Sequence, residues 1–247
     1  MYYFASDTHL GAGSEQEQRS TERLFVEWLE RVSHDATAIF LCGDIFDFWY
    51  EYRRVVPRGF VRTLAKISEI TERGVRVVFM VGNHDMWVRD YLTTECGMEI
   101  YTAPHTFELG GKKVHVAHGD NLNVKRNLSL RFMNSFFRSR VARVLFSWLI
   151  HPDIALWFGL TWSQNSRKGH SKNESLEIVE RSIGYLSEYA MKHYAQHKDD
   201  IYIFGHIHHP LCLAEQRPQI VFMNDWSRDP LFASLSDEGE LKLERVK

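Results

Sequence analysis

The sequence predicts an α/β fold, and three observations carry that expectation. Through the first half, short apolar runs alternate with segments of helical spacing, the pattern of parallel strands joined by right-handed crossovers. Several of those runs stop at Gly, Asp, Asn or His instead of passing into an ordinary polar turn. In the second half, a Gly-Gly hairpin and a late group of strands bring the chain back to sheet after a long helical stretch. With no repeat, low-complexity tract or linker to mark a boundary, residues 1–247 read as one domain carrying a helical insertion over about residues 121–170.

Taken in order, Tyr2 to Ser6 reads as the first strand and Gly11-Ala12-Gly13 as the loop after it. Phe25, Trp28, Leu29 and Val32 then recur at helical spacing. Ala38-Ile39-Phe40-Leu41 is a buried-strand pattern that ends at Gly43-Asp44, followed by the aromatic loop Phe46 to Tyr50. Phe60, Leu64, Ile67 and Ile70 predict a second helix, with Gly74 at its C-terminal end. Val75 to Val81 is the third strand. Thr106–Leu109 and Lys113–Ala117 flank Gly110-Gly111 and predict a hairpin.

Residues Asn121 to Pro152 contain no Asp or Glu but carry Lys125, Arg126, Arg131, Arg138, Arg140 and Arg143. Met133, Phe137, Val141, Val144 and Trp148 keep three-to-four spacing, so the stretch is helical, basic and apolar at once. Leu176, Val179, Ile183, Leu186 and Ala190 define a further helix. Strands follow at Ile201–Phe204, Ile220–Met223, Leu231–Leu235 and Leu241–Leu243.

Composition narrows the function classes. Hydrophobic residues at 44% and charged residues at 25% are ordinary for a globular chain. A net charge of -2 argues against a protein that coats nucleic acid. Cys42, Cys96 and Cys212 are widely spaced, with no CxxC pair, which predicts reduced thiols. No signal segment and no bilayer-length apolar run is apparent, so the expected location is cytoplasmic, with room for peripheral contact at the inner face of a membrane. The 13 histidines are the compositional oddity, because several fall at strand ends beside Gly, Asp or Asn.

Those strand ends form five blocks in order: Asp7-Thr8-His9, Gly43-Asp44-Ile45-Phe46-Asp47, Gly82-Asn83-His84-Asp85, His118-Gly119-Asp120 and Gly205-His206-Ile207-His208. Carboxylate, amide and imidazole donors without thiolate suit Mn²⁺, Fe or Zn²⁺ in an open catalytic site better than a closed structural zinc site. The two imidazoles of the last block share a face if the strand continues, or splay across a tight turn. His34, His151, His193 and His197 read as surface or helix residues, His115 as a strand residue, and His209 as pointing away from the site.

The five blocks resemble the signature of the calcineurin-like metallophosphoesterases, and their span covers most of the chain. The resemblance implies a β-sandwich flanked by helices, with two divalent ions, Mn²⁺ first among the candidates, at the strand ends. It assigns Asp7, His9, Asp44 and His208 to one ion and Asp44, Asn83, His118 and His206 to the other, so that Asp44 bridges. His84 becomes the catalytic group that protonates the leaving oxygen or stabilises the transition state, oriented by Asp85 or Asp47.

Within the superfamily, Ser6-Asp7-Thr8-His9-Leu10, the aromatic run after Asp44 and the insertion after His118 resemble the UDP-2,3-diacylglucosamine hydrolases of lipid A synthesis. That implies cleavage of a pyrophosphate at the α-phosphorus, giving UMP and an acylated sugar phosphate. A lipid-linked nucleotide sugar is then the substrate, and the insertion an acyl-chain lid, although composition alone slightly favours a helical hairpin packed on the core with solvated arginines. Asn83, Lys125, Arg126, Arg167, Lys168 and Lys172 are the expected substrate contacts, and the basic patch an expected contact with anionic membrane. The alternative is a phosphoesterase for soluble nucleotides or other phosphate esters. Many of these hydrolases carry Arg where this chain has His84, and an acidic pair where it has Lys125-Arg126.

Overall fold

The structure, a computed structural model, describes residues 1–122, 139–173 and 176–246. The chain runs β1 (Tyr2–Ala5), α1 (Glu15–Val32), β2 (Ala38–Leu41), α2 (Val61–Glu72), β3 (Arg76–Met80), α3 (Tyr91–Cys96) and β4 (Glu99–Tyr101). The hairpin β5 (His105–Leu109) and β6 (Lys112–Ala117) follows. After it come α4 (Arg140–Leu149), α5 (Pro152–Asn173) and α6 (Leu176–His197). The chain closes with β7 (Ile201–Phe204), β8 (Leu211–Leu213), β9 (Gln219–Phe222), β10 (Leu231–Leu235) and β11 (Leu241–Arg245).

Two sheets result, ordered β11-β10-β1-β2-β3-β4 and β5-β6-β7-β9-β8. The expected parallel pairing holds for β1-β2 and β2-β3, and β6-β7 is parallel too. The sheets pack face to face through Phe4, Phe40, Val78 and Met80 on one side and Val114, Val116, Ile203 and Val221 on the other. The opposite face of the first sheet, with Ile39, Leu41, Val77 and Phe79, packs against Phe25, Trp28 and Leu29 of α1 and Ile67 and Ile70 of α2. The second sheet turns Tyr202, Phe204, Ile220 and Phe222 toward Leu186 and Ala190 of α6. Burial on both faces explains why β1 to β3 and β7 read as continuous apolar runs without alternation.

The start of α1 follows local chemistry. Ser14 caps α1, and Glu17 returns its carboxylate to the Ser14 backbone N–H at 2.7 Å, a capping box. The short elements α3, β4 and β8 have no counterpart in the sequence reading, since six- and three-residue segments carry too little periodicity to register. Lys125, Arg126, Met133 and Phe137 lie outside the described residues, so the early part of the basic helical expectation has no structural account. Arg167, Lys168 and Lys172 fall on α5 where side chains lie outside the described part.

Candidate metal centre

Five strands deliver the site. Asp7 and His9 follow β1, Asp44 and Asp47 follow β2, and Asn83, His84 and Asp85 follow β3. His118 follows β6, and His206 and His208 follow β7. The two sheets therefore each contribute strand ends to one cluster, at the carboxyl edges where open α/β sheets hold ligands.

The backbone at these positions is unusual. Asp7, His9, Asp44, His206 and His208 have φ of 53°, 43°, 52°, 70° and 55°. Left-handed backbone at a non-glycine residue costs on the order of 1 kcal/mol or more and concentrates at functional sites. Thus β7 does not continue through the last block, and His206 and His208 splay across a turn. Gly82 is required by crowding, because a Cβ there would collide with the Asp44 carboxylate.

The side chains converge in overlapping groups: Asp7, His9 and His208; His9, Asp44 and His84; and Asp44, His118 and His206, with donor atoms in each group all within 4.8 Å. His208 Nε2 lies 3.2 Å from Asp7 Oδ1 and 3.3 Å from His9 Nε2. His118 Nε2 lies 3.2 Å from Asp44 Oδ2 and 3.3 Å from Asn83 Oδ1. Bonds of roughly 2.0–2.2 Å to a shared cation put neighbouring donors about 3 Å apart, so this set fits divalent ions. His118 Nδ1–H donates to the Cys42 carbonyl at 3.1 Å, which turns Nε2 toward Asp44.

Two buried carboxylates set the electrostatics of the cluster: against burial, Asp44 holds His118 well above the usual imidazole value and Asp7 raises His208. Burial pushes the Asp44 carboxyl up, but His118 and His84 outweigh it and hold it well below the usual range. Asp7 is likewise raised by burial and lowered further by His208. His9 is depressed to about 3 and His206 to about 4, chiefly by burial, so both are neutral and able to donate a lone pair. Burial, then the Asp44 charge, pushes Asp85 up to about 7.

His84 is placed without being in the tightest contacts. Its backbone N–H donates to Asp44 Oδ1 at 2.8 Å, and its Nε2 sits 3.8 Å from Asp44 Oδ2. Nδ1–H faces the Asp47 carbonyl at 2.8 Å and Ser163 Oγ at 3.1 Å, while Ser163 donates to Asp47 Oδ1 at 2.6 Å. Asp47, not Asp85, therefore orients the ring. Asp85 instead accepts the backbone N–H groups of Gly82 at 2.7 Å and Ile45 at 2.9 Å, pinning the Asp44 and Asn83 loops together.

Ser163 comes from α5, 79 residues from His84, and no local signal marks it. Asp225 also escapes the sequence reading; its Oδ2 lies 3.8 Å from His208 Nδ1. A second group escapes for the same reason: His115, His193 and Asp199 meet between β6 and α6. There Thr106, Tyr189 and Tyr202 hydroxyls lie within hydrogen-bond distance of the imidazoles, which ties the helix to the sheet.

Beside Asn83 and His84 opens a narrow apolar hollow walled by Phe48, Trp49, Trp87, Phe146, Phe158 and Trp162. Gly159 lets α5 lie directly on the Phe48 ring, where any Cβ would clash. Outside the hollow, Trp148, Leu149, Ile154 and Trp157 remain exposed on α4 and α5. Among the described residues, no helix is long and apolar enough to cross a membrane.

A calcineurin-like phosphoesterase family model matches residues 2–210. The chain is 38% identical to the UDP-2,3-diacylglucosamine hydrolase of Porphyromonas gingivalis, over 92% of this chain and 90% of that protein. It is 26% identical to the protein of the same name from Haemophilus ducreyi, covering 92% of each. Among solved structures, an archaeal phosphodiesterase aligns over 99% of this chain and 98% of its own at 14% identity, with a TM-score of 0.47.

Proposed function

The chain belongs to the calcineurin-like phosphoesterases, and we propose that it hydrolyses the pyrophosphate of UDP-2,3-diacylglucosamine, releasing UMP and 2,3-diacylglucosamine 1-phosphate. One observation supports the choice within the family: aromatic and apolar side chains of α4 and α5 close over Asn83 and His84 around a hollow of about 30 Å³, room for little more than a water, so that an acyl chain would enter as α4 and α5 part from the core. A soluble nucleotide has no use for such walls, whereas a diacylated sugar does. The P. gingivalis relative bears the matching name at 38% identity.

The proposed roles are those the family resemblance implies, and the geometry is compatible with them. Asp7, His9, Asp44 and His208 would hold one divalent ion and Asp44, Asn83, His118 and His206 a second, with Mn²⁺ the proposed metal. The ions would supply an activated water and charge neutralisation at phosphorus. Asp44 is shared between the groups, and its two oxygens address His84 N–H and His118 Nε2 separately. His84, held through Nδ1–H by the Asp47 carbonyl, presents Nε2 on the Asp44 side. From there it donates a proton or hydrogen bond to the leaving or non-bridging oxygen.

The helices after His118 are proposed as an acyl-chain lid within a single domain, and their exposed Trp148, Leu149, Ile154 and Trp157 as the contact with an anionic membrane surface. Hydrolysis in ¹⁸O-water tests the chemistry. The label is expected in UMP, the mark of attack at the α-phosphorus. Label in the sugar phosphate, or an intact substrate beside a cleaved soluble nucleotide, would refute the assignment.

A further inference from the structure

A second concavity meets the metal centre, through Thr8 and His9. It is a cleft of about 410 Å³ between the start of α1 and the turn after β9, and its lining differs in kind from the apolar hollow. Ser20, Thr21 and Glu17 come from α1, and Ser227 and Arg228 from the turn. Its volume falls in the range that small-molecule sites occupy, about 300–1,000 Å³.

Three details suggest a polar, anionic guest. Among the described residues, the Arg228 guanidinium has no side-chain partner, whereas nearby Arg245 pairs with Asp229 at 2.9 Å and Arg62 with Glu22 at 3.3 Å. Trp226, 3% exposed and part of the cleft wall, has a buried indole N–H without an acceptor. Glu17 uses one carboxylate oxygen, Oε2, for the Ser14 cap, which leaves Oε1 to accept from a guest. A guanidinium pairs with phosphate oxygens in a bidentate way, and a carboxylate accepts from ribose hydroxyls.

Resting on the pyrophosphate-hydrolase reading above, we infer that this cleft receives the nucleoside monophosphate half of the substrate, with Arg228 pairing its phosphate and Glu17 its ribose hydroxyls. The scissile phosphate then sits between two unlike chambers, the apolar hollow beside His84 for the acylated sugar and the polar cleft beside His9 for the nucleotide. That division gives the site a direction. It also makes UMP a product that leaves by a route separate from the lipid.

The test is binding of UMP to the Mn²⁺-loaded enzyme by calorimetry, together with its inhibition of substrate turnover. Arg228→Gln and Thr21→Trp, the second filling the cleft without touching charge, should each weaken UMP at least tenfold. Inhibition by 2,3-diacylglucosamine 1-phosphate should change far less, and Arg228→Lys should recover part of the loss. Glu17→Gln, which still caps α1, should narrow the preference for UMP over dUMP. UMP binding equal to wild type in both Arg228→Gln and Thr21→Trp would overturn the inference, with circular dichroism confirming that the variants fold. If the wild type leaves the lipid substrate intact while UMP binding still depends on Arg228, the cleft stands and the lipid reading falls.

Discussion

Replacing Asp85 by Asn changes one atom in a residue that no substrate need touch. Asp85 is fully buried, and its two oxygens each accept one backbone N–H, from Gly82 at 2.7 Å and Ile45 at 2.9 Å. An amide has a single acceptor, so one of those donors would face an NH₂ group. Leaving a buried donor unmatched costs about 1–3 kcal/mol. Some of this is offset, because burial and the Asp44 charge already push the Asp85 carboxyl up to about 7, and the neutral amide relieves that repulsion. A net loss of about 2 kcal/mol corresponds to a fall in Tm of roughly 4–8 °C for a domain of this size. Because the two N–H groups belong to the loops that carry Asp44 and Asn83, metal affinity should drop about 10–100-fold as well. Thermal unfolding and a Mn²⁺ titration of the metal-stripped protein measure the two effects. An Asp85→Asn protein with wild-type Tm and wild-type Mn²⁺ affinity would refute the bracing role.

Other variants separate the remaining roles. His84→Ala should lower kcat by roughly 10²–10⁴ while Mn²⁺ still binds, which kinetics and calorimetry read independently; an unchanged kcat would remove His84 from the mechanism. Gly159→Val, which drives α5 off Phe48, should raise KM for the diacylated substrate several-fold more than for a small aryl phosphodiester, and equal effects on both would argue against the hollow as an acyl site. Burial, and then neighbouring His193, lowers His115 from 6.5 to about 4. The unfolded state therefore takes up that proton first as pH falls. Its stabilising effect is complete above about pH 6.5 and is lost toward pH 4, by up to roughly 3 kcal/mol. Urea unfolding of wild type and His115→Gln across that interval should show a flatter pH dependence in the variant; parallel slopes would locate the titration elsewhere.

The sheet and the residues that gather at its edge were legible for one physical reason. A strand buried on both faces cannot alternate, so each apolar run had a sharp end, and what stood at the end was conspicuous. Asp44 after Leu41 and His206 after Phe204 are cases in which residue type and position carried the argument together. Local pattern did not reach contacts made across the chain. Ser163 reaches His84 from α5, Asp225 approaches His208 from the turn after β9, and His115 meets His193 and Asp199 only once α6 docks. The left-handed backbone at Asp7, Asp44 and His206 was equally hidden, since Asp and His are tolerated there without being required. The choice between Asp85 and Asp47 depended on a rotamer and a carbonyl direction, which sequence does not encode locally. Short α3 and β4 escaped because their conformations are set by the sheet edge they close.

One metal centre, organised on Asp44, is the proposed means of cleaving a lipid-linked pyrophosphate. Its most direct test is UMP release from UDP-2,3-diacylglucosamine in detergent by metal-stripped protein, with Mn²⁺ returned stepwise and Asp44→Asn alongside. The expected result is no UMP without metal, release that rises with Mn²⁺ occupancy, and loss of activity in the Asp44→Asn protein at every concentration. UMP release that persists in chelator, or survives undiminished in the Asp44→Asn protein, would contradict it.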